Sequence, residues 1–141
     1  MATEEIRPHV LCVDDAQEIL DVMQELLEGE GYRVTTSIAP INLTRVKAIA
    51  PDVIVQDIMF EYDQQEGWRF LTLSRLDPKL ARVPHILCTG ATQTVHDPKM
   101  AEQLDRMGVR VLLKPFNLED LLVSLTEVLA AQRLIDQAGD D

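Results

Sequence analysis

Four short, largely apolar runs recur along this 141-residue chain: residues 10–13 (VLCV), 53–55 (VIV), 86–88 (ILC) and 109–113 (VRVLL). Nothing else in the sequence restricts the fold so strongly. Runs without polar alternation fit strands buried on both faces, the situation of a parallel sheet covered by helices on each side. A fifth run, residues 32–37 (YRVTTS), is mixed and β-branched, the composition of an edge strand.

Helical patterns separate the runs. Ile19, Val22, Met23, Leu26 and Leu27 recur at helical spacing ahead of Gly29 and Gly31, which suit a C-terminal stop. Leu43, Val46 and Ile49 predict a short second helix, and residues 68–76 a third that ends near Asp77 and Pro78. Asp97 before Pro98 reads as an N-cap and first helical position, with Gly108 closing this fourth helix. Asn117 caps a fifth, with Leu121, Leu125, Val128 and Leu129 as its buried stripe. Five strands alternating with five helices predict a doubly wound parallel α/β sheet of (βα)5 type. Right-handed crossovers with helices on both faces then give the flavodoxin-like strand order 2-1-3-4-5. The expected organisation is a polar tail over residues 1–8, one domain over 9–133 and a loose acidic tail over 134–141.

Charge and cysteine content narrow the function classes. A formal net charge of −11 argues against nucleic acid as a direct partner, because phosphates would be repelled. No apolar run approaches the ~20 residues of a membrane span, and the N-terminus lacks the pattern of a secretory signal. Cys12 and Cys88 both lie inside apolar runs and read as free buried thiols in a reducing compartment. A cytoplasmic protein is expected.

In a doubly wound sheet, ligands bind outside the carboxyl ends of the strands. There the first run ends in Asp14 and Asp15, the third in Asp57, the fourth in Thr89 and Gly90, and the fifth in Lys114 and Pro115. Each has an ordinary explanation. Asp15 with Glu18 three residues later is a capping box, Asp57 could cap the next element, and a Lys–Pro pair is usually a turn. Together they bring three carboxylates and one ammonium to one edge, three negative charges against one positive, or −2. That suits one divalent cation. It would also explain why two adjacent like charges are tolerated where a buried strand ends.

With "VDD", the aspartate of "VIVQDIM", the threonine of "LCTGA" and "LLKPF" in place, the chain resembles the receiver domain of two-component response regulators over about residues 9–133. The resemblance implies that Asp57 is the nucleophile and phosphoacceptor for a partner histidine kinase or phosphotransfer protein. It implies Mg²⁺ (or Mn²⁺) bound directly by Asp15 and Asp57, through water by Asp14, and by the backbone carbonyl of Met59. Such hard cations prefer oxygen ligands in octahedral geometry and retain several waters. Lys114 and the Thr89 hydroxyl, with the Gly90 amide, would bind the phosphoryl oxygens. The Lys114–Pro115 bond would be cis. Such a domain catalyses only its own phosphorylation and dephosphorylation, and its output is a protein–protein contact through helix 4, strand 5 and helix 5. Homodimerisation is left open.

The chain departs from the family pattern at two places. Val111 stands where an aromatic residue is usual, so a switch that buries a ring has no ring here. The segment "DIMFEYDQQEGW" has Glu61 where proline is usual and Gly67 two positions late, which predicts a longer, more acidic loop. These departures favour a second reading, a degenerate receiver that binds partners without phosphorylation. A phosphatase of the haloacid dehalogenase type is disfavoured, since "VDDAQ" lacks the two-apart aspartates of that chemistry. Flavin binding is disfavoured too, because a phosphate cradle needs amides and hydroxyls in the first loop.

Overall fold

The computed structural model describes residues 7–39, 41–57, 64–89, 98–113 and 117–139. Strands β1 (His9–Val13), β2 (Arg33–Ser37), β3 (Val53–Asp57), β4 (His85–Thr89) and β5 (Val109–Leu113) alternate with helices. The helices are α1 (Gln17–Gly29), α2 (Leu43–Ile49), α3 (Gln64–Leu76), α4 (Pro98–Arg106) and α5 (Leu118–Gly139), with a 3₁₀ turn at Leu80–Arg82. All neighbouring strands are parallel, in the order β2-β1-β3-β4-β5. The mixed run is indeed an edge strand, and the strand order is the expected one.

Period-two alternation explains why the central runs carry no polar face. Val10, Cys12, Val53, Val55, Ile86 and Cys88 pack against Leu20 and Leu27 of α1 and Leu121 and Leu125 of α5. Leu11, Val13 and Ile54 point the other way, onto Val46 of α2 and Phe70 of α3. Leu87 and Val109 meet Leu71 of α3 and Leu104 of α4. The sheet is therefore covered on both sides, with all five strands ending at one edge. Burying one such Leu or Val contributes roughly 1.5–3 kcal/mol.

Local chemistry sets the helix ends. Asn42 caps α2 by accepting from the Arg45 amide at 2.8 Å, and Ala50 closes it in the left-handed region at φ 53. Asn117 and Asp120 exchange side-chain-to-amide bonds at the start of α5, a reciprocal capping box. Gly31 and Gly108 follow α1 and α4 at φ 96 and φ 73, where a side chain would be strained. Arg75 ties the end of α3 to the entry of β4 by donating to the carbonyls of Leu80, Ala81 and Val83. Beside it, Asp77 accepts from the amides of Lys79 and Leu80 and pairs with Lys47.

Four local expectations are corrected. Helix α3 begins at Gln64, four residues before the expected 68, because Gln64, Gln65 and Glu66 are strong helix formers and Gly67 is tolerated inside. Helix α5 runs on to Gly139 through the segment expected to be loose. The inward stripe of α1 is Leu20, Met23 and Leu27, whereas Ile19, Val22 and Leu26 are exposed. Finally, Asp15 does not cap α1: the N-cap is Ala16, which has no side-chain cap.

Candidate functional site

Strand register builds the site. Val13 of β1 pairs with Gln56 of β3, so Asp14, the next residue, stands level with Asp57 at the tip of β3. The amide of Asp14 donates to the Ser37 carbonyl at 3.1 Å, which carries the β1–β2 ladder one residue past the strand. Its Oδ1 accepts from the Ala16 amide at 2.9 Å. This bond turns the chain into α1 and fixes the Asp14 carboxylate, so the local backbone work expected of Asp15 falls to its neighbour. Asp14 is buried, Asp57 half-buried and Asp15 exposed.

Asp14, Asp15 and Asp57 each offer a carboxylate oxygen, and these three oxygens lie within 4.8 Å of one another. At that separation two unit charges repel by about 1–3.5 kcal/mol, between a water-like and a surface-like dielectric. An all-oxygen donor set with three formal negative charges could hold a hard divalent cation, and its open side at Asp15 leaves room for water and a further ligand. A cavity lined by Cys12, Val13, Asp14, Ile19, Met23, Val55, Asp57 and Cys88 adjoins the carboxylates. Its mostly apolar walls lower the local dielectric and strengthen the field of the acidic groups. Burial, with the Asp14 charge second, pushes the Cys12 thiol up to about 12, so this sulfur is a protonated thiol at physiological pH. Both cysteines are buried and neither is in a disulfide, as expected.

The other proposed site residues are only partly described. Thr89 is the last residue of β4 and pairs with Leu113, the last residue of β5, so the backbone at both strand ends reaches the edge that carries Asp57. Met59, Gly90, Lys114, Pro115 and Phe116 lie outside the described residues, as do Glu61 and His96. Val111, at the position where the family usually has a ring, packs against Leu71, Leu87, Leu104 and Val109.

One buried feature escaped the sequence reading. The side chains of Gln56 and His85 are fully buried, and the His85 Nε2–H donates to Gln56 Oε1 at 2.7 Å. Burial, followed by the nearby Arg75 charge, pushes the imidazole down to about 3, so it is neutral at physiological pH. The available signal was a single polar letter inside each of two apolar runs, the Q of "VIVQD" and the H of "PHILC".

The family model for the response regulator receiver domain matches residues 10–126. The chain belongs to this family. It is 30% identical over 126 residues to the response regulator SaeR of Staphylococcus aureus, covering 89% of this chain and 52% of that protein. The receiver thus spans about half the length of the curated relatives it matches. Among solved structures, the chemotaxis response regulator CheY4 of Vibrio cholerae superposes with a TM-score of 0.70 at 27% identity, covering 86% of this chain and 98% of the other. The N-terminal domain of a response regulator receiver protein from Methanoculleus marisnigri gives 0.64 at 30% identity, covering 86% and 96%. No helix among the described residues of the receiver is long and apolar enough to cross a membrane.

Proposed function

We propose that this receiver takes a phosphoryl group onto Asp57 from a histidine kinase or phosphotransfer protein, in a Mg²⁺-dependent reaction, and that the modified form changes a protein–protein contact. The observation that carries the reading is the carboxylate cluster at the strand edge. It gathers three carboxylate oxygens within 4.8 Å, with Asp15 exposed, a donor set that could hold a divalent cation beside the phosphoacceptor.

Asp57 attacks the phosphorus of the partner's phosphohistidine with a carboxylate oxygen. A P–O bond forms and the P–N bond breaks, and the electron pair of that bond stays on the histidine nitrogen, which then takes a proton from solvent. Asp15, Asp57 and the Met59 carbonyl, with Asp14 through water, would hold Mg²⁺ (or Mn²⁺), which would supply charge neutralisation for the transfer. The Asp14–Ala16 bond keeps the Asp14 carboxylate oriented without a partner present. Lys114 and the Thr89 hydroxyl would meet the remaining oxygens, since phosphoryl transfer depends mainly on alignment and charge stabilisation.

A partner must bring its histidine against Asp57, so it contacts the surfaces that flank the site. On α1, Ile19, Val22 and Leu26 expose an apolar stripe that begins four residues after Asp15, the exposed member of the cluster, and this stripe is a fitting contact. Output is assigned to the α4–β5–α5 face, where Val123 is exposed and Arg110 pairs with Glu127. The phosphoryl group would shift a pre-existing equilibrium of that face.

A small phosphodonor such as acetyl phosphate tests the reading. Labelling should require Mg²⁺ and be lost in Asp57→Ala. Absence of labelling in the intact protein would favour the second reading, a degenerate receiver that binds partners unphosphorylated. Val111 is the observation that supports it, because β5 carries no ring for the usual switch.

A further inference from the structure

We propose that the buried His85–Gln56 hydrogen bond is a positioning device that fixes the site end of β3 against β4, and so sets where Asp57 presents its carboxylate. The inference rests on the phosphoacceptor reading above.

Its placement is the first argument. Gln56 immediately precedes Asp57, and strand alternation sends its side chain to the opposite face of the sheet, onto the layer of α2 and α3. His85 opens β4, the strand that ends at Thr89. Cα register pairs Ile54 with His85 and Gln56 with Leu87, so the 2.7 Å bond runs diagonally, reaching one pleat toward the site. Ladder bonds between parallel strands hold them side by side. A diagonal tie also resists sliding along the strand axis, the displacement that would carry Asp57 past groups presented from β4. The edge of Phe70 meets the imidazole at a centroid distance of 6.3 Å, which adds a contact from α3, the first described helix after the site loop.

Its chemistry is the second argument. Ile54, Leu87, Phe70 and Leu71 on this face are apolar and buried, and the Arg75 guanidinium is the nearby charge. In such a shell two polar side chains cost desolvation that their bond only offsets, and replacing both with apolar groups of similar shape is nearly neutral or stabilising. Packing alone therefore does not require the pair. What the bond adds over two leucines is a defined length and direction. A neutral ring held in one tautomer, with Nε2–H as donor, maintains it throughout the physiological pH range.

The test combines the double variant Gln56→Leu/His85→Leu with the conservative His85→Gln, which retains an N–H donor at similar reach. Urea unfolding is measured beside the initial rate of labelling by acetyl phosphate at saturating Mg²⁺. The double variant should unfold at or above the wild-type midpoint yet label roughly tenfold more slowly, as expected when a reacting group is slightly misplaced. His85→Gln should label near the wild-type rate. A double variant that labels like wild type overturns the inference, and so does one that is clearly destabilised, because the pair would then be structural. Failure of the wild type itself to label would instead defeat the phosphoacceptor reading, and the two failures are told apart in the same experiment.

Discussion

Acidification below about pH 6.5 should destabilise this receiver through His85. Burial, with Arg75 second, holds the folded imidazole at about 3, against 6.5 for the unfolded chain. The unfolded state therefore binds the proton more readily, and the stability associated with a neutral His85 is present above pH 6.5 and lost as pH falls from there toward 3. The loss approaches about 1.4 kcal/mol per pH unit. Between pH 7 and pH 5 it integrates to about 2 kcal/mol, or roughly 6 °C in Tm for a chain of this size. His9 is also depressed, by burial and then Arg33, and adds a smaller loss of the same sign. The His85→Gln variant removes one titration and leaves the other. Thermal melts at pH 7 and pH 5 should show the wild type losing about 2 kcal/mol more than the variant. Parallel losses in the two proteins would refute the reasoning, since they would mean that the imidazole is hydrated or protonated in the folded state.

Three further outcomes follow from the same structure. Asp57→Asn should stabilise the metal-free protein by on the order of 1 kcal/mol, by relieving repulsion in the cluster, and should reduce the gain in Tm on adding Mg²⁺. A metal-free Asn variant that melts lower than wild type would contradict the electrostatic account. Cys12 and Cys88 are buried and outside any disulfide, so a thiol reagent should find neither in native protein and both after denaturation. Asn117→Ala removes the acceptor for the Asp120 amide and should cost about 1 kcal/mol in urea unfolding, without changing Mg²⁺ affinity.

The architecture was legible because both-face burial imposes an unmistakable pattern. Val53, Ile54 and Val55 are consecutive, β-branched and all buried, as fits a short strand covered on both faces. The carboxylate cluster was legible through topology, since each aspartate follows or ends an apolar run. The start of α3 was obscured because a glycine inside a polar segment suggests loop, whereas Gln64–Leu76 shows that the flanking residues outweigh it. On α1, apolar residues occupy two neighbouring stripes, and periodicity alone does not say which one faces the sheet. The His85–Gln56 pair was missed for a different reason. A polar letter in a strand becomes meaningful only when register shows its partner on the adjacent strand, 29 residues away.

Crystals soaked in Mn²⁺ and examined by anomalous scattering test the central claim most directly. One peak should appear at the strand edge, bonded to carboxylate oxygens of Asp15 and Asp57, with Asp14 reaching it through water. A peak placed away from Asp57, or none at a concentration that raises the Tm of the protein in solution, would contradict a site in which one dication links the phosphoacceptor to the acidic pair after β1.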